Sequence, residues 1–449
     1  MQNGSSEIKL TEEERIKKAG LLLDFDAVAR KGAMSREEVL IAKWYGVYRS
    51  RQKGDHMVRV VIPGGEMTAA DAKLIAKLAD TYAAGKISFT TRQSAQYHKV
   101  RLEAIPELLR ELDTGGLTTF HGAGDVPRNV TACPWAGVCR YRRFDVLPYA
   151  KKTAKLLSDS RDLDNLPRKY KVTFSGCGAG CGQPYVNCMG AVAVVRKDVQ
   201  GAEQAGFEVV IGGGMGWKPF VAKGLYSFVP ADSIMAVARA VGLLFNDQGD
   251  RTSRRHARLK FVVERLGIEK CRQLLGEIYQ HEGVDASAFE TGAVADCGPE
   301  IPVRPLRETN PVDTNGRGIQ RIMLAKGEIA AANLEWIAEW AERYADGYVY
   351  STNRQNLELH GVEPSKRLQL REELQAAGLL SEGFYGLQDI VSCAGTTYCP
   401  MAFTETRELY DRLEKLVSEA DYQAIHDKVL INITGCPNAC GQHYVADIG

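Results

Sequence analysis

The chain has 449 residues, too many for one ordinary core, and its length suggests about three domains. With 57 Lys and Arg against 56 Asp and Glu, the net charge of +1 offers no global field for nucleic acid or an acidic membrane surface. The 45% apolar and 25% charged shares suit a globular protein; no apolar run approaches the ~18 residues of a spanning helix, and the N-terminus lacks a signal peptide's apolar core, which together point to the cytoplasm.

Residues 1–10 read as a polar tail. A helix is expected over Thr11–Asp24, opened by Thr11 with Glu14 as a capping box, and a second helix starts at Ser35 with Glu38 three residues on. Met57–Ile62 is a strand that stops at Pro63-Gly64-Gly65. A helix over Ala69–Ala83, strands over Ile87–Thr91 and Gln96–Val100, and a helix over Glu103–Leu112 complete a layered α+β unit. Further on, the strand Phe207–Ile211 leads into Gly212-Gly213-Gly214, and a basic run holds Arg251, Arg254, Arg255, Arg258 and Lys260.

The chain repeats itself. TTRQSAQYHKV from Thr90 matches TNRQNLELHGV from Thr352, 262 residues later, and the segment from Arg59 to Glu66 matches that from Arg321 to Glu328 at the same offset. Cys133 and Cys139 match Cys393 and Cys399 at an offset of 260; Cys177 and Cys181 match Cys436 and Cys440 at 259. The fold class is therefore α+β in tandem duplication, each half an α+β module followed by a mixed α/β module bearing cysteines. The expected bounds are a helical extension (1–50), the first α+β module (51–118), the first cysteine module (119–282), a Gly- and Pro-rich linker (283–311), the second α+β module (312–380) and the second cysteine module (381–449).

Eleven cysteines in a compartment poor in disulfides need another explanation. Cys188, Cys271 and Cys297 stand alone and read as buried small hydrophobes. The paired sets, flanked by Gly, Pro and Asn, read as four-thiolate sites. Zinc pairs usually sit closer than C-x5-C, whereas an iron–sulfur cube accepts wider spacing, so spacing favours the cube and leaves a zinc-stabilised scaffold as the alternative.

Cys393-x5-Cys399 with Thr434-Gly435-Cys436-Pro437-Asn438-Ala439-Cys440, taken with TTRQ, PRNV, LPRKYK and the GGG segment, resembles the sirohaem- and [4Fe-4S]-dependent sulfite and nitrite reductases over nearly the whole chain from Met57. The resemblance implies ferredoxin-like α+β modules. It implies a cube on Cys393, Cys399, Cys436 and Cys440, with Cys440 also bridging to the sirohaem iron. By the same likeness, Arg59, Arg128, Lys169 and Lys171 surround the substrate, and Arg92 and Gln96 meet the macrocycle. The bland reading of a lone lysine is a solvated charge. Lys169 and Lys171, however, are i and i+2 on an expected strand and share a face. Gly212, Gly213 and Gly214 offer backbone amides to the macrocycle's carboxylates, and the basic run is similar to a family helix, either a solvated face or a contact for cofactor or electron donor.

The family's reaction is a six-electron reduction, sulfite to sulfide or nitrite to ammonia. Lys171, where the nitrite enzymes carry Asn, favours sulfite, and nitrite is the alternative on the same site. No flavin or nicotinamide module is visible, so electrons come from ferredoxin or an NADPH-flavoprotein. The chain stops nine residues after Cys440, short of the family's usual end; a shortened, catalytically inactive cluster-binding protein is the reading of another class. Cys133, Cys139, Cys177 and Cys181 are candidates for a second cluster. The symmetry mates of Arg128 and Lys171 are Gln388 and Leu430, so one active site per chain is expected, built from second-half cysteines and first-half cations.

Overall fold

The computed structural model describes residues 10–198 and 200–449; the tail expected over 1–10 lies, but for Leu10, outside the described residues. The single helix expected over Thr11–Asp24 is two. Glu12–Ala19 ends at Gly20, whose φ of 134° only glycine tolerates readily, and Phe25–Lys31 begins afresh at an Asp24 cap. Ser35 and Glu38 form the complete capping box of Arg36–Ile41. The extension is also not wholly helical, because Val47–Arg49 is a strand paired with Asp55–Val60.

The two α+β modules exchange a strand. The first sheet runs Val47–Arg49, Asp55–Val60, Ala95–Arg101, Lys86–Phe89 and then Glu328–Ala330 from the second half. The second sheet runs Gly318–Ile322, Leu357–Val362, Tyr348–Ser351 and then Glu66–Thr68 from the first half. Ile329 pairs with Ile87 in one sheet, and Val349 with Met67 in the other. The helices Ala69–Tyr82 and Ala331–Tyr344 pack on each other, and one apolar core, including Ile75, Phe89, Ile337 and Val349, serves both modules.

The loops TTRQ and TNRQ repeat the exchange in side chains. Gln93 donates to the Ser351 carbonyl at 2.9 Å and accepts from the Ala132 amide at 3.0 Å. Gln355 donates to the Phe89 carbonyl at 3.1 Å and accepts from the Ser392 amide at 3.1 Å.

In the first cysteine module the strand order is Lys223–Pro230, Glu203–Ile211, Met189–Lys197, Val172–Ser175, Thr131–Ala132, backed by the helices Leu147–Asp159, Ile234–Gln248 and Ile268–Glu282. The second module, within this chain, has the parallel pair Val391–Ser392 and Asn432–Ile433 beside the helix Arg407–Val417. The stretch expected as a linker, 283–311, is a strap tied to the first module: Glu290 pairs with Phe228, the Cys297 amide donates to Val195, Asp296 binds Arg143, and Pro305 and Leu306 are buried.

Candidate active site

Each half places its cysteines at the C-terminal ends of two short parallel strands. Cys133 follows Thr131–Ala132 and Cys177 follows Val172–Ser175; Cys393 and Cys436 follow the equivalent second-half strands. Amides then converge on sulfur: the Gly435 N–H donates to Cys393 Sγ at 3.2 Å, and the amides of Met401 and Ala402 lie against Cys399. Burial, and next the charges of Cys436 and Cys440, hold the Cys399 thiol above its ordinary pKa once the amides' opposing pull is counted, so these thiols feel one another. The glycine after the last cysteine is obligatory, because a Cβ on Gly441 would stand 2.0 Å from the Ile433 carbonyl oxygen. Gln442, with φ of 62°, then meets its symmetry mate Gln183, with φ of 61°, across a 2.8 Å hydrogen bond. The Cys440 carbonyl is held from the opposite half by Thr91 Oγ1 at 3.0 Å.

The cations come from the first half. Arg59 Nη1 donates to the Gly122 carbonyl at 2.9 Å, and Arg128 donates to the same oxygen. Lys169 and Lys171 are half-buried to either side of Tyr170, whose ring is fully buried and whose hydroxyl donates to the Ala238 carbonyl at 2.9 Å. They precede the strand Val172–Ser175 rather than lying on it, but Tyr170 bridges to Pro127 and the alternation of faces survives.

Burial, reinforced by neighbouring cations, pushes Lys169 down to about 7, Arg128 to about 10 and Arg92 to about 9, and Lys171 well below its ordinary value. One opposing influence on Arg128, Lys169 and Lys171 is the Cys440 sulfur of the other half. The last cysteine of the second half is thus near enough to the first-half cations to bear on their protonation.

Arg92 and Gln96 each have partners within the protein. Arg92 is bonded to Asn187 Oδ1 at 2.8 Å and the Asn129 carbonyl at 2.5 Å, which leaves its Nε buried without a partner. Gln96, cross-strand from Arg59, turns its amide oxygen to that guanidinium at 3.0 and 2.5 Å.

In the glycine turn the amides of Gly212 and Gly214 donate to the Cys188 and Phe220 carbonyls, so of the three only the Gly213 amide is without a protein acceptor among the described residues. These glycines allow close packing: a Cβ on Gly213 would stand 2.4 Å from the Tyr185 carbonyl.

The basic run is not a helix before Leu259, and most of it points inward. Arg251 pairs with Glu14 at 2.6 Å, Arg254 with Asp125 at 2.5 Å, and Lys260 Nζ donates to the Met215 carbonyl at 3.1 Å; Arg255 is exposed. Cys188 is buried as expected, and Arg258 contacts its thiol at 3.1 Å. Cys271 is buried as expected; Cys297 is exposed, on the strap.

Sequence reasoning missed Tyr48, which lies under Arg59 with the guanidinium 5.6 Å from its ring centre. Burial raises its hydroxyl pKa, but Arg128, Arg59 and Lys43 overcome that and lower it. It also missed Asp125, which receives Arg254, Arg168 and the buried Lys17 directly beneath the Arg128 loop.

A duplicated four-thiol cradle set against a group of cations defines the class: a redox enzyme for a small anion. The "Nitrite and sulphite reductase 4Fe-4S domain" matches residues 123–282 and 385–449, and the "Nitrite/Sulfite reductase ferredoxin-like half domain" matches 48–114 and 314–377. The chain belongs to this nitrite and sulfite reductase family. It is 32% identical to the assimilatory ferredoxin-dependent nitrite reductase of Haloferax mediterranei, over 95% of this chain and 77% of that one. It is 29% identical to the ferredoxin sulfite reductase of Mycobacterium tuberculosis, over 98% and 82%. The solved structure of Mycobacterium tuberculosis NirA matches with a TM-score of 0.84 at 25% identity, covering 98% of this chain and 83% of that one. Among the described residues no helix is long and apolar enough to cross a membrane.

Proposed function

We propose that the chain reduces sulfite to sulfide at a sirohaem linked to a [4Fe-4S] cluster on Cys393, Cys399, Cys436 and Cys440. The reading rests on one observation above the others: the Cys440 loop of the second half is tied into the first half, which carries the cations, by Thr91 at 3.0 Å and by the Gln183–Gln442 bond at 2.8 Å. The donor set suits a macrocycle bearing carboxylates, since Arg92 Nε and Arg258 Nε are buried without partners and the surrounding cations depress one another. When bound, the paired cofactors supply the iron that holds the oxyanion and the electrons that reduce it.

The chain's own residues do the rest. Arg59 and Arg128, pinned through the Gly122 carbonyl, present fixed forks to an oxyanion, and Lys169 and Lys171, just ahead of the strand Val172–Ser175, add point charges. Each step of the reduction consumes protons as well as electrons, and the three oxygens leave as water. Lys169, its pKa near neutrality, and Tyr48, its hydroxyl acidified by Arg128 and Arg59, are the groups able to hold and pass protons there. Ferredoxin is the electron donor by analogy with the relatives, whose names specify it; the cytoplasm is the expected compartment.

Nitrite reduction to ammonia is the second reading, favoured by the name of the Haloferax relative. Lys171→Asn tests the choice. Removing one of two lysine charges is expected to lower kcat/KM for sulfite about tenfold and for nitrite less. Equal losses would overturn the sulfite assignment.

A further inference from the structure

Four thiols take no part in that site. Cys133, Cys139, Cys177 and Cys181 line one cavity together with Trp135 and Leu306. Their surroundings copy the second-half cradle bond for bond. The Gly176 N–H donates to Cys133 Sγ at 3.4 Å, as Gly435 does to Cys393. The amides of Tyr141 and Arg142 lie against Cys139, as those of Met401 and Ala402 do against Cys399. The Cys181 carbonyl accepts from Asn353 at 2.7 Å, as Cys440 does from Thr91. A Cβ on Gly182 would strike the Phe174 carbonyl at 2.1 Å, the constraint already met at Gly441.

Among the described residues no three His, Cys, Asp or Glu side chains are set to share one metal ion. Arg142, hydrogen-bonded to the Cys139 carbonyl at 3.1 Å, supplies positive charge beside a group that four thiolates would leave anionic.

The space next to this cradle differs from its counterpart. Where first-half cations stand beside the Cys440 cradle, here Leu306 of the strap packs with Trp135, Cys139 and Ile319, and Tyr385 and Cys181 pack against that cluster. Arg321, the mate of Arg59, is buried under the rings of Trp135, Phe384 and Tyr385 and faces Glu358 at 3.6 Å.

We propose that Cys133, Cys139, Cys177 and Cys181 hold a second [4Fe-4S] cluster that carries no sirohaem. The inference rests on the proposed function only in taking the second-half cradle as a cluster site.

Iron and acid-labile sulfide counted on anaerobically purified, cofactor-loaded protein test it, with the visible spectrum read alongside. About nine irons and eight sulfides per chain with haem absorption are expected. About eight of each with no haem absorption would support the second cluster and overturn the proposed reaction. About five irons and four sulfides with haem absorption would overturn the inference and leave the reaction standing, and about one zinc per chain would overturn it too. Cys133→Ser and, separately, Cys177→Ala should each lose about four irons while keeping the haem bands; unchanged iron in either folded variant would refute the ligand set.

Discussion

The two halves carry the same arginines and treat their charge in opposite ways. Arg59 faces the amide of Gln96, whereas Arg321 faces the carboxylate of Glu358 at the symmetry-related position. Arg92 bonds the carbonyl of Asn129, whereas Arg354 pairs with Asp389 at 2.8 Å in a fully buried bridge. An amide holds a guanidinium in place and leaves its charge available; a carboxylate holds it and cancels the charge. The lysine positions follow suit, Leu430 replacing Lys171 and the exposed Lys428 replacing Lys169. A duplicated scaffold can thus be silenced by replacing an amide with a carboxylate and filling the space, without disturbing the strands that carry the residues.

The strongest way to break this contrast is at the sulfur shared between the halves. Cys440→Ser should cut sulfite turnover at least about 100-fold; near-normal turnover would show that the cations do not work with that cysteine. Next, Gln96→Glu moves the silent half's carboxylate beside Arg59. Cancelling that charge should raise KM for the anion by roughly 10- to 100-fold, the worth of a charge-assisted hydrogen bond; steady-state kinetics with folding checked by circular dichroism would detect its failure.

The smallest effect concerns Asp125, at the position where the other half has Tyr385. Burial raises its pKa, but Arg254, Arg168 and Lys17 outweigh that and bring it to about 2, below the ordinary 3.8. Between those values the unfolded chain binds a proton that the folded one does not, so stability rises with pH there. Asp125 therefore contributes fully above pH ~4 and loses about 2 kcal/mol as the pH falls through about 2. Denaturant unfolding from pH 5 to 2 should show this loss in the native protein and a flatter acid limb in Asp125→Asn.

The repeat made much of this visible beforehand. Matched offsets located both cradles and, through Gln388 and Leu430, the impoverished pocket, because ligand spacing and charge are written residue by residue. The strand exchange was not legible. Glu66–Thr68 and Glu328–Ala330 have three residues each, too few for alternation to signal a strand, and nothing local names a partner 240 residues away. Tyr48 and Asp125 escaped for a similar reason, their significance residing in which distant cations fold over them. The basic run 251–260 was ambiguous because charge alone does not say which way a side chain turns; buried Glu14 and Asp125 decide that. In the Gly212–Gly214 turn glycine content could not say which amides the protein itself engages, and two of the three are taken by Cys188 and Phe220.

The exchanged strands have a consequence for how the molecule comes into being. A ribosome releases the first α+β module long before Glu328–Ala330 exist, so Lys86–Phe89 waits as an open edge with its core half-covered until the second module emerges. Closing contacts across some 260 residues is slow, and an uncovered edge is a site for pairing with another chain. Neither module is complete before the second is made, and the thiol of Cys440 can meet Lys169 only after that. A group held between the Cys440 cradle and the first-half cations can therefore be bound only once the second half has been made, and until then the open edge of Lys86–Phe89 is the exposed weak point of the chain.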